Sequence, residues 1–414
     1  MHRNSLAATI AAALMTLAAP AAFAGGLDLF SAGSGRASAE DPAYQAVAND
    51  HAAASVTLLN ANAEVVNTST RELTINLGPG LRVDANVLNA YVDDEGVTIW
   101  YGQVDLGPKT QWERAPAGTQ EIAEDALSTV MLARNGDKIT GTLRIAGQLY
   151  TIRPLNNGEH AVVEVNEFLS PPDHPKEFDS LPAIDFPKSA PDAIRATSTV
   201  RVLVAYTPAA RTASGDITGL ISLAVAETNQ GYVNSGVEIS MVRAVSTQVT
   251  YTESGSFSTD LARFRGTTDG YMDSIHSTRN TYTADVGVLL INNSSSCGLA
   301  SGIGSTASTA FAAAHWSCAT GYYSFGHEVG HLQSARHDPA NDPTTTPYSY
   351  GHGHQYATGG WRTIMAYACS SGCTRLNYWS NPAKTYGGVP MGTTTKSHNQ
   401  RVLQNTKAAM AAFR

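Results

Sequence analysis

Two patterns of apolar and polar positions divide the chain. In the front half, the stretches 95–107 ("EGVTIWYGQVDLG"), 128–155 and 159–168 alternate apolar and polar residues between turn dipeptides such as Asn135-Gly136. A period of two with such punctuation predicts antiparallel strands and hairpins. Behind residue 196 the pattern changes. Residues 199–207 ("TVRVLVAYT") and 285–291 ("DVGVLLI") read as buried strands, 237–249 as a third strand, and 216–236 and 270–284 as helices. That alternation predicts an α/β domain. Between the halves, 170–191 ("SPPDHPKEFDSLPAIDFPKSAP") is rich in prolines, which lack a backbone donor and disfavour helix and central strand. It reads as an exposed linker.

The N-terminus adds a targeting expectation. Arg3 precedes an apolar run that ends in Ala22, Phe23 and Ala24, the form of a secretory signal peptide, and the run is too short for a membrane span. The protein is thus expected to be secreted, with no membrane partner. Export permits disulfides, and four cysteines, Cys297, Cys318, Cys369 and Cys373, allow three pairings. Their order favours Cys297 with Cys318 and Cys369 with Cys373; a four-cysteine zinc site is the competing reading.

Charge sharpens the division. The 414 residues carry a net charge of −8, but from Ala196 onward 14 Lys and Arg stand against 11 Asp and Glu, so the back half is +3 and the front −11. An acidic front, a linker and a mildly basic back suggest a propeptide covering its own catalytic domain. The expected organisation is a signal peptide (1–24), a β-rich propeptide (25–169), a linker with a processing site near Arg195 (170–195) and a protease domain (196–414). The sequence has no basic run with interleaved aromatics and no phosphate-binding glycine loop, which excludes nucleic acid and nucleotides as expected partners.

The candidate chemistry lies in "SFGHEVGHLQSARHD", residues 324–338. His327 and His331 are four apart, so on a helix both imidazoles project from one face and can chelate one ion. Two imidazoles suit zinc, and a catalytic zinc takes three protein ligands and keeps one position open. His337 is the candidate third ligand, which requires the chain to turn sharply after Leu332. Glu328, beside His327, is the candidate general base for a water that the zinc activates. A secreted zinc-containing binding module is the alternative, but a structural zinc site has no use for that glutamate.

These residues resemble the signature of the metzincin zinc endopeptidases, His-Glu-x-x-His-x-x-Gly-x-x-His followed by a methionine-bearing turn. His327, Glu328, His331 and His337 fall on the signature and Met365 on the turn. The segments "RVLVAYTPAAR", "DVGVLLI", "CGLASGIG" and "YWSNPAKTYGGVPMG" are similar to bacterial secreted members near the reprolysins, above all the peptidyl-Asp metalloendopeptidases. The resemblance implies a zincin-like catalytic domain with a mixed twisted sheet and an active-site helix. It implies one catalytic Zn2+, protein or peptide substrates, and a propeptide acting as intramolecular inhibitor.

Ser334 departs from the signature's glycine, at a cost of about 1–2 kcal/mol if that position is left-handed. Tyr367, two residues after Met365, is a candidate to assist the oxyanion; Met365 would form an apolar floor. Some relatives stay latent through a propeptide cysteine, and this chain has no cysteine before Cys297. Asp173 and His174 of the linker are the candidates for that task, although the plainer expectation is two solvated residues.

His352 and His354 are expected to be solvated loop histidines, and Asp338, Asn341 and Asp342 a plain turn rather than a calcium site. The stretch 305–316 is expected to be the edge strand that pairs with substrate. After Asp342 the chain has no acidic residue, whereas Arg362, Arg375, Lys384, Lys396, Arg401, Lys407 and Arg414 are basic. A basic surface at the cleft would favour Asp or Glu after the scissile bond.

Overall fold

A computed structural model describes residues 26–35, 40–78, 80–107, 115–184, 186 and 196–414. The expected signal peptide and the processing point near Arg195 lie outside the described residues. Among these residues, no helix is long and apolar enough to cross a membrane.

The front half forms a ten-stranded sheet. The expected hairpins are its centre: Thr98–Asp105, Thr129–Asn135, Lys138–Ile145, Gln148–Pro154 and His160–Val165 pair antiparallel in that order. Asn135 pairs with Lys138, and Gly136 takes φ 65° in the two-residue turn. Strands Ala53–Ala61, Glu72–Gly78 and Leu81–Val92 extend the sheet. Ala53–Ala61 alternates irregularly, whereas Glu72–Gly78 alternates strictly and was readable from the sequence. The sheet wraps one apolar cluster that includes Leu59, Leu73, Trp100, Leu132, Ile152 and Val162.

The back half holds a mixed five-stranded sheet in the order Ile239–Gln248, Ser198–Tyr206, Val286–Ile291, Phe311–His315, Gly298–Ala300. The first four strands run parallel, and the last is antiparallel to its neighbour. The central strands are continuous apolar runs because both faces are covered. One face packs against the helix Ile217–Ser235 and the fully buried helix Ser324–Leu332. Helices Pro208–Ser214, Phe257–Arg265 and Asn399–Met410 were not predicted, whereas the expected helix in 270–284 appears as Ser274–Thr281.

The edge-strand expectation needs correction. Phe311–His315 is internal, flanked by Val286–Ile291 and Gly298–Ala300, so the sheet edge is Gly298–Ala300. Three residues carry too little periodicity to be read from sequence, and the long alanine run drew the assignment instead.

The linker is not a free connector either. Cys297 and Gly298 donate their N–H groups to the carbonyls of Pro172 and Asp173 (2.8 and 3.0 Å), and Ala183 bridges Ile303 in parallel. The described part of the linker therefore touches the edge of the sheet at Cys297 and Gly298 and the chain beyond it at Ile303, with the 3-10 turn Lys176–Ser180 between the two contacts. His174 and Phe178 are buried there, which contradicts both the exposed-linker and the solvated-residue expectations.

The halves are docked through buried polar contacts as well as apolar ones. Thr142 donates to Glu227 (2.6 Å), Arg153 to Thr320 (2.9 Å), and Arg144 to the Gly321 carbonyl (2.9 Å) while pairing with Glu167 (2.8 Å). Both disulfides have the expected pairing, Cys297–Cys318 and Cys369–Cys373, and no described cysteine is free. The four-cysteine metal site is thereby excluded.

Candidate metal centre

The helix Ser324–Leu332 brings His327 and His331 to one face, as their spacing requires. It contains Gly326 and Gly330, poor helix formers that each cost about 1 kcal/mol relative to alanine. Their use is close approach: a Cβ on Gly330 would lie 2.6 Å from the Trp379 ring and 3.2 Å from Met365 Sδ, and one on Gly326 3.0 Å from Thr228 Oγ1. The helix is wedged between the long helix and the methionine turn.

It ends as the ligand spacing demands. Ser334 takes φ 73°, its N–H reaches the His331 carbonyl and the Ala335 N–H the Gly330 carbonyl, both at 2.9 Å. This is a Schellman motif with serine where glycine would be unstrained. The reversal carries His337 back beneath the helix. His352, buried rather than solvated as expected, supports it by bonding through Nδ1 to the His337 carbonyl (2.8 Å), so its part is structural rather than metal-binding.

Four imidazoles converge. Nε2 of His327, His331 and His337 lie 3.0–3.2 Å from one another, and Nε2 of His174 lies 3.1, 3.2 and 2.9 Å from the same three. Six nearly equal separations define a tetrahedron, whose centre is about 1.9 Å from each nitrogen, against ~2.0–2.1 Å for a zinc–imidazole bond. The second nitrogens settle the proton positions: Nδ1 of His174, His327 and His331 bonds to the carbonyls of Gly298 (3.0 Å), Ile364 (3.0 Å) and Ala335 (2.8 Å). Each of these Nδ1 atoms must carry the hydrogen, which leaves Nε2 a bare acceptor.

Burial keeps the rings neutral. It holds His327, His331 and His337 well below the usual imidazole range, helped by their mutual crowding, and lowers His174 to about 4. Buried acceptors facing one point with no donor between them satisfy one another only through a cation. The donor set fits a divalent metal, which His327, His331 and His337 could hold with His174 at the fourth corner.

Glu328 sits beside this centre. Its Oε1 is 3.6 Å from His174 Nδ1 and its Oε2 has no hydrogen-bond partner. Burial, then the charge of Asp173, raises its carboxyl well above the usual range, only partly offset by Arg375. Gly298 has no side chain because a Cβ there would strike the Glu328 carboxylate.

Met365 is fully buried under the helix. The ring of Tyr367 lies 4.1 Å from that of His337 and 6.2 Å from that of His174, so it flanks the centre. Phe178 stacks on His174 at 4.1 Å and covers His331 and His337.

The remaining expectations divide. Asp338 accepts from the Tyr367 N–H (2.9 Å) and from Asn341, tying the third-ligand loop to the methionine turn, and Asp342 pairs with Arg336 (2.9 Å). Of the seven late basic residues only Arg362 and Arg375 approach the centre. Lys384 bonds Gln120, Lys407 pairs with Glu238, Arg401 lies over Tyr350 and Arg414 bonds Asn280. A continuous basic surface is therefore absent among these residues. Phe178 was missed altogether, since an aromatic in a proline-rich stretch gives no local signal of what it covers.

Comparison with known proteins agrees with this geometry. Residues 196–380 match the family Reprolysin_5, metallo-peptidase family M12. A peptidyl-Asp metalloendopeptidase of Xanthomonas campestris pv. campestris is 49% identical over 429 residues, spanning 100% of both chains. One from Stenotrophomonas maltophilia is 55% identical over 344 residues, 81% of each chain. One from Pseudomonas fragi is 52% identical over 189 residues, covering 45% of this chain and all of that one. A helix that aligns two imidazoles, a turn that returns a third, and whole-length likeness to such enzymes lead to one conclusion: the chain belongs to metallo-peptidase family M12 and is a metalloendopeptidase.

Proposed function

We propose that the protein is a secreted zinc endopeptidase of metzincin fold, made as a zymogen. In this reading residues 25–169 are the propeptide, 170–195 the inhibitory linker and 196–414 the protease. One observation carries the proposal: a linker histidine completes a tetrahedron of Nε2 atoms whose other three corners come from the His-Glu-x-x-His helix and the loop after it. A site closed by four protein ligands leaves no corner for water or substrate. Removal of the linker, by cleavage near Arg195 or at a point before it, opens that corner.

His327, His331 and His337 would hold the ion in the active form. When bound, the metal supplies positive charge that acidifies a water and stabilises the tetrahedral oxyanion. Glu328 takes the proton from the attacking water and passes it to the leaving amine. Withdrawal of Asp173 removes a negative neighbour of Glu328 and lowers its pKa toward a value suited to a base. Tyr367, whose ring flanks that of His337, would donate from its hydroxyl to the oxyanion. Met365 and the carbonyls of Ile364 and Ala335 position the imidazoles and touch no reacting atom.

The relatives' name and the two buried arginines beside the centre, Arg362 and Arg375, support Asp or Glu after the scissile bond as the preferred residue. The test is cleavage of casein and a peptide library by the processed protein, with and without a chelator. Cleavage that chelation abolishes and zinc restores is expected. Cleavage that survives complete metal removal would reject the proposal.

A further inference from the structure

Asp173 occupies a site of its own beside His174. Its Oδ2 accepts from Arg375 Nη2 at 2.7 Å and lies 4.0 Å from Arg362 Nη1, and all three side chains are almost fully buried. Both guanidiniums are held by other groups. Arg375 donates to the carbonyls of Tyr322 (3.0 Å) and Ala366 (3.3 Å), with its cation 4.3 Å from the centre of the Tyr322 ring. Arg362 donates to the carbonyls of Ala366 (2.5 Å) and Cys373 (3.1 Å) and to the Tyr322 hydroxyl (3.1 Å). The cradle is thus built by the protease half and only filled by the linker.

Charge in this pocket does not balance without the linker. Glu167 also faces both arginines but is paired with Arg144 at 2.8 and 2.9 Å, so Asp173 is the carboxylate that bonds Arg375 directly and stands against both buried cations. Buried charges that lose their partner are costly, and a pocket left with two of them selects an anionic side chain over its neutral isostere.

Position ties the pocket to the reaction. Asp173 immediately precedes His174, which fills the fourth corner of the metal site, and its carbonyl accepts from the Gly298 N–H of the sheet edge (3.0 Å). A substrate laid along that edge would place the residue next to its scissile bond at the same spot. Resting on the endopeptidase reading above, we infer that Arg375 and Arg362 are the specificity residues that bind the substrate's acidic side chain, and that Asp173 mimics that side chain in the latent chain.

The experiment uses processed protein obtained from the full chain and paired peptides that differ only in Asp or Asn after the scissile bond. The wild type prefers Asp, and in Arg375→Gln and Arg362→Gln the Asp-to-Asn ratio of kcat/KM falls by about tenfold or more, since a site built for a polar group penalises its absence strongly. Metal content and circular dichroism confirm that the variants are intact.

A second arm leaves the protein unaltered, so it decides the matter even if a variant fails to fold. Direct binding of the hexapeptide SPPDHP, copied from 170–175, is compared with the same peptide carrying Asn for Asp173. The Asn peptide binds about tenfold more weakly or worse, by the same penalty. Unchanged ratios in both variants, equal binding of the two peptides, or wild-type cleavage with no preference for Asp over Asn would overturn the assignment while leaving the endopeptidase intact. Absence of any cleavage would instead strike the endopeptidase reading, with the peptide pair still reporting on the pocket.

Discussion

His174 Nε2 lies 2.9 Å from His337 Nε2, although 163 residues separate them in the chain. The Nε2 atoms of His174, His327 and His331, whose Nδ1 atoms carry the hydrogens, also converge at 3.0–3.2 Å, and bare acceptors do not approach so closely without an ion between them, so the contact links the linker to the metal site. Replacing His174 by alanine opens that corner while Asp173 and Phe178 still hold the linker down. The full chain carrying His174→Ala is expected to cleave a quenched fluorescent peptide severalfold faster than unprocessed wild type. The measurement is the initial rate, with N-terminal sequencing of each sample; equal rates would mean that bulk alone confers latency.

Ser334 at φ 73° has a buried hydroxyl with no hydrogen-bond partner. A non-glycine residue there is strained by about 1–2 kcal/mol. Ser334→Gly is therefore expected to stabilise the chain by about 1 kcal/mol, read from the urea midpoint with unchanged metal content. A loss of stability would mean that the serine packs better than its backbone suggests.

Gly330 faces Trp379 and Met365 across a gap that a Cβ would close to 2.6 Å. Gly330→Ala must push the helix off its seat despite alanine's better helix propensity, and overpacking of this kind costs about 1–3 kcal/mol. Both a lower urea midpoint and weaker zinc retention against a chelator are expected, because the same helix carries two ligands.

Glu227 lies buried between the halves, accepting from Thr142 Oγ1 (2.6 Å) and the Gly321 N–H (2.9 Å). Burial raises it to about 7, against the opposing effect of those bonds and of Arg153 and Arg144. A raised folded pKa means that the proton it holds stabilises the fold fully below about 4.5, and that this contribution is lost as pH rises through about 7. A tenfold change in proton affinity between the folded and unfolded chain corresponds to about 1.4 kcal/mol, so Glu227→Gln, which stays neutral, should be more stable than wild type by ~3 kcal/mol at pH 8 and by less than ~1 kcal/mol at pH 5. Urea unfolding at the two pH values checks this; an equal difference at both would refute the raised pKa.

The protease half was more legible than the front because its information is local. The four-residue spacing of His327 and His331, the reversal before His337 and the apolar runs of the parallel strands all act within a few turns of chain. His174 could not be read the same way: its partners lie more than 150 residues away, and its proline-rich surroundings are those of solvated chain. The short edge Gly298–Ala300 left too little pattern to compete with the alanine run beside it. Arg362 and Arg375 were visible only as part of a charge excess, because their burial against Asp173 is a property of the fold. Strands Ala53–Ala61 and Leu81–Val92 were hidden by polar residues on both faces.

The central claim is a zinc site that His174 closes and that becomes an endopeptidase on opening, with Glu328 as base. The most direct test measures zinc content and peptide cleavage on the same samples of the full chain, the processed protein and processed Glu328→Ala. One zinc per chain in all three is expected, with cleavage in the processed wild type alone. Cleavage by the Glu328→Ala protein, or equal cleavage before and after processing, would contradict the account.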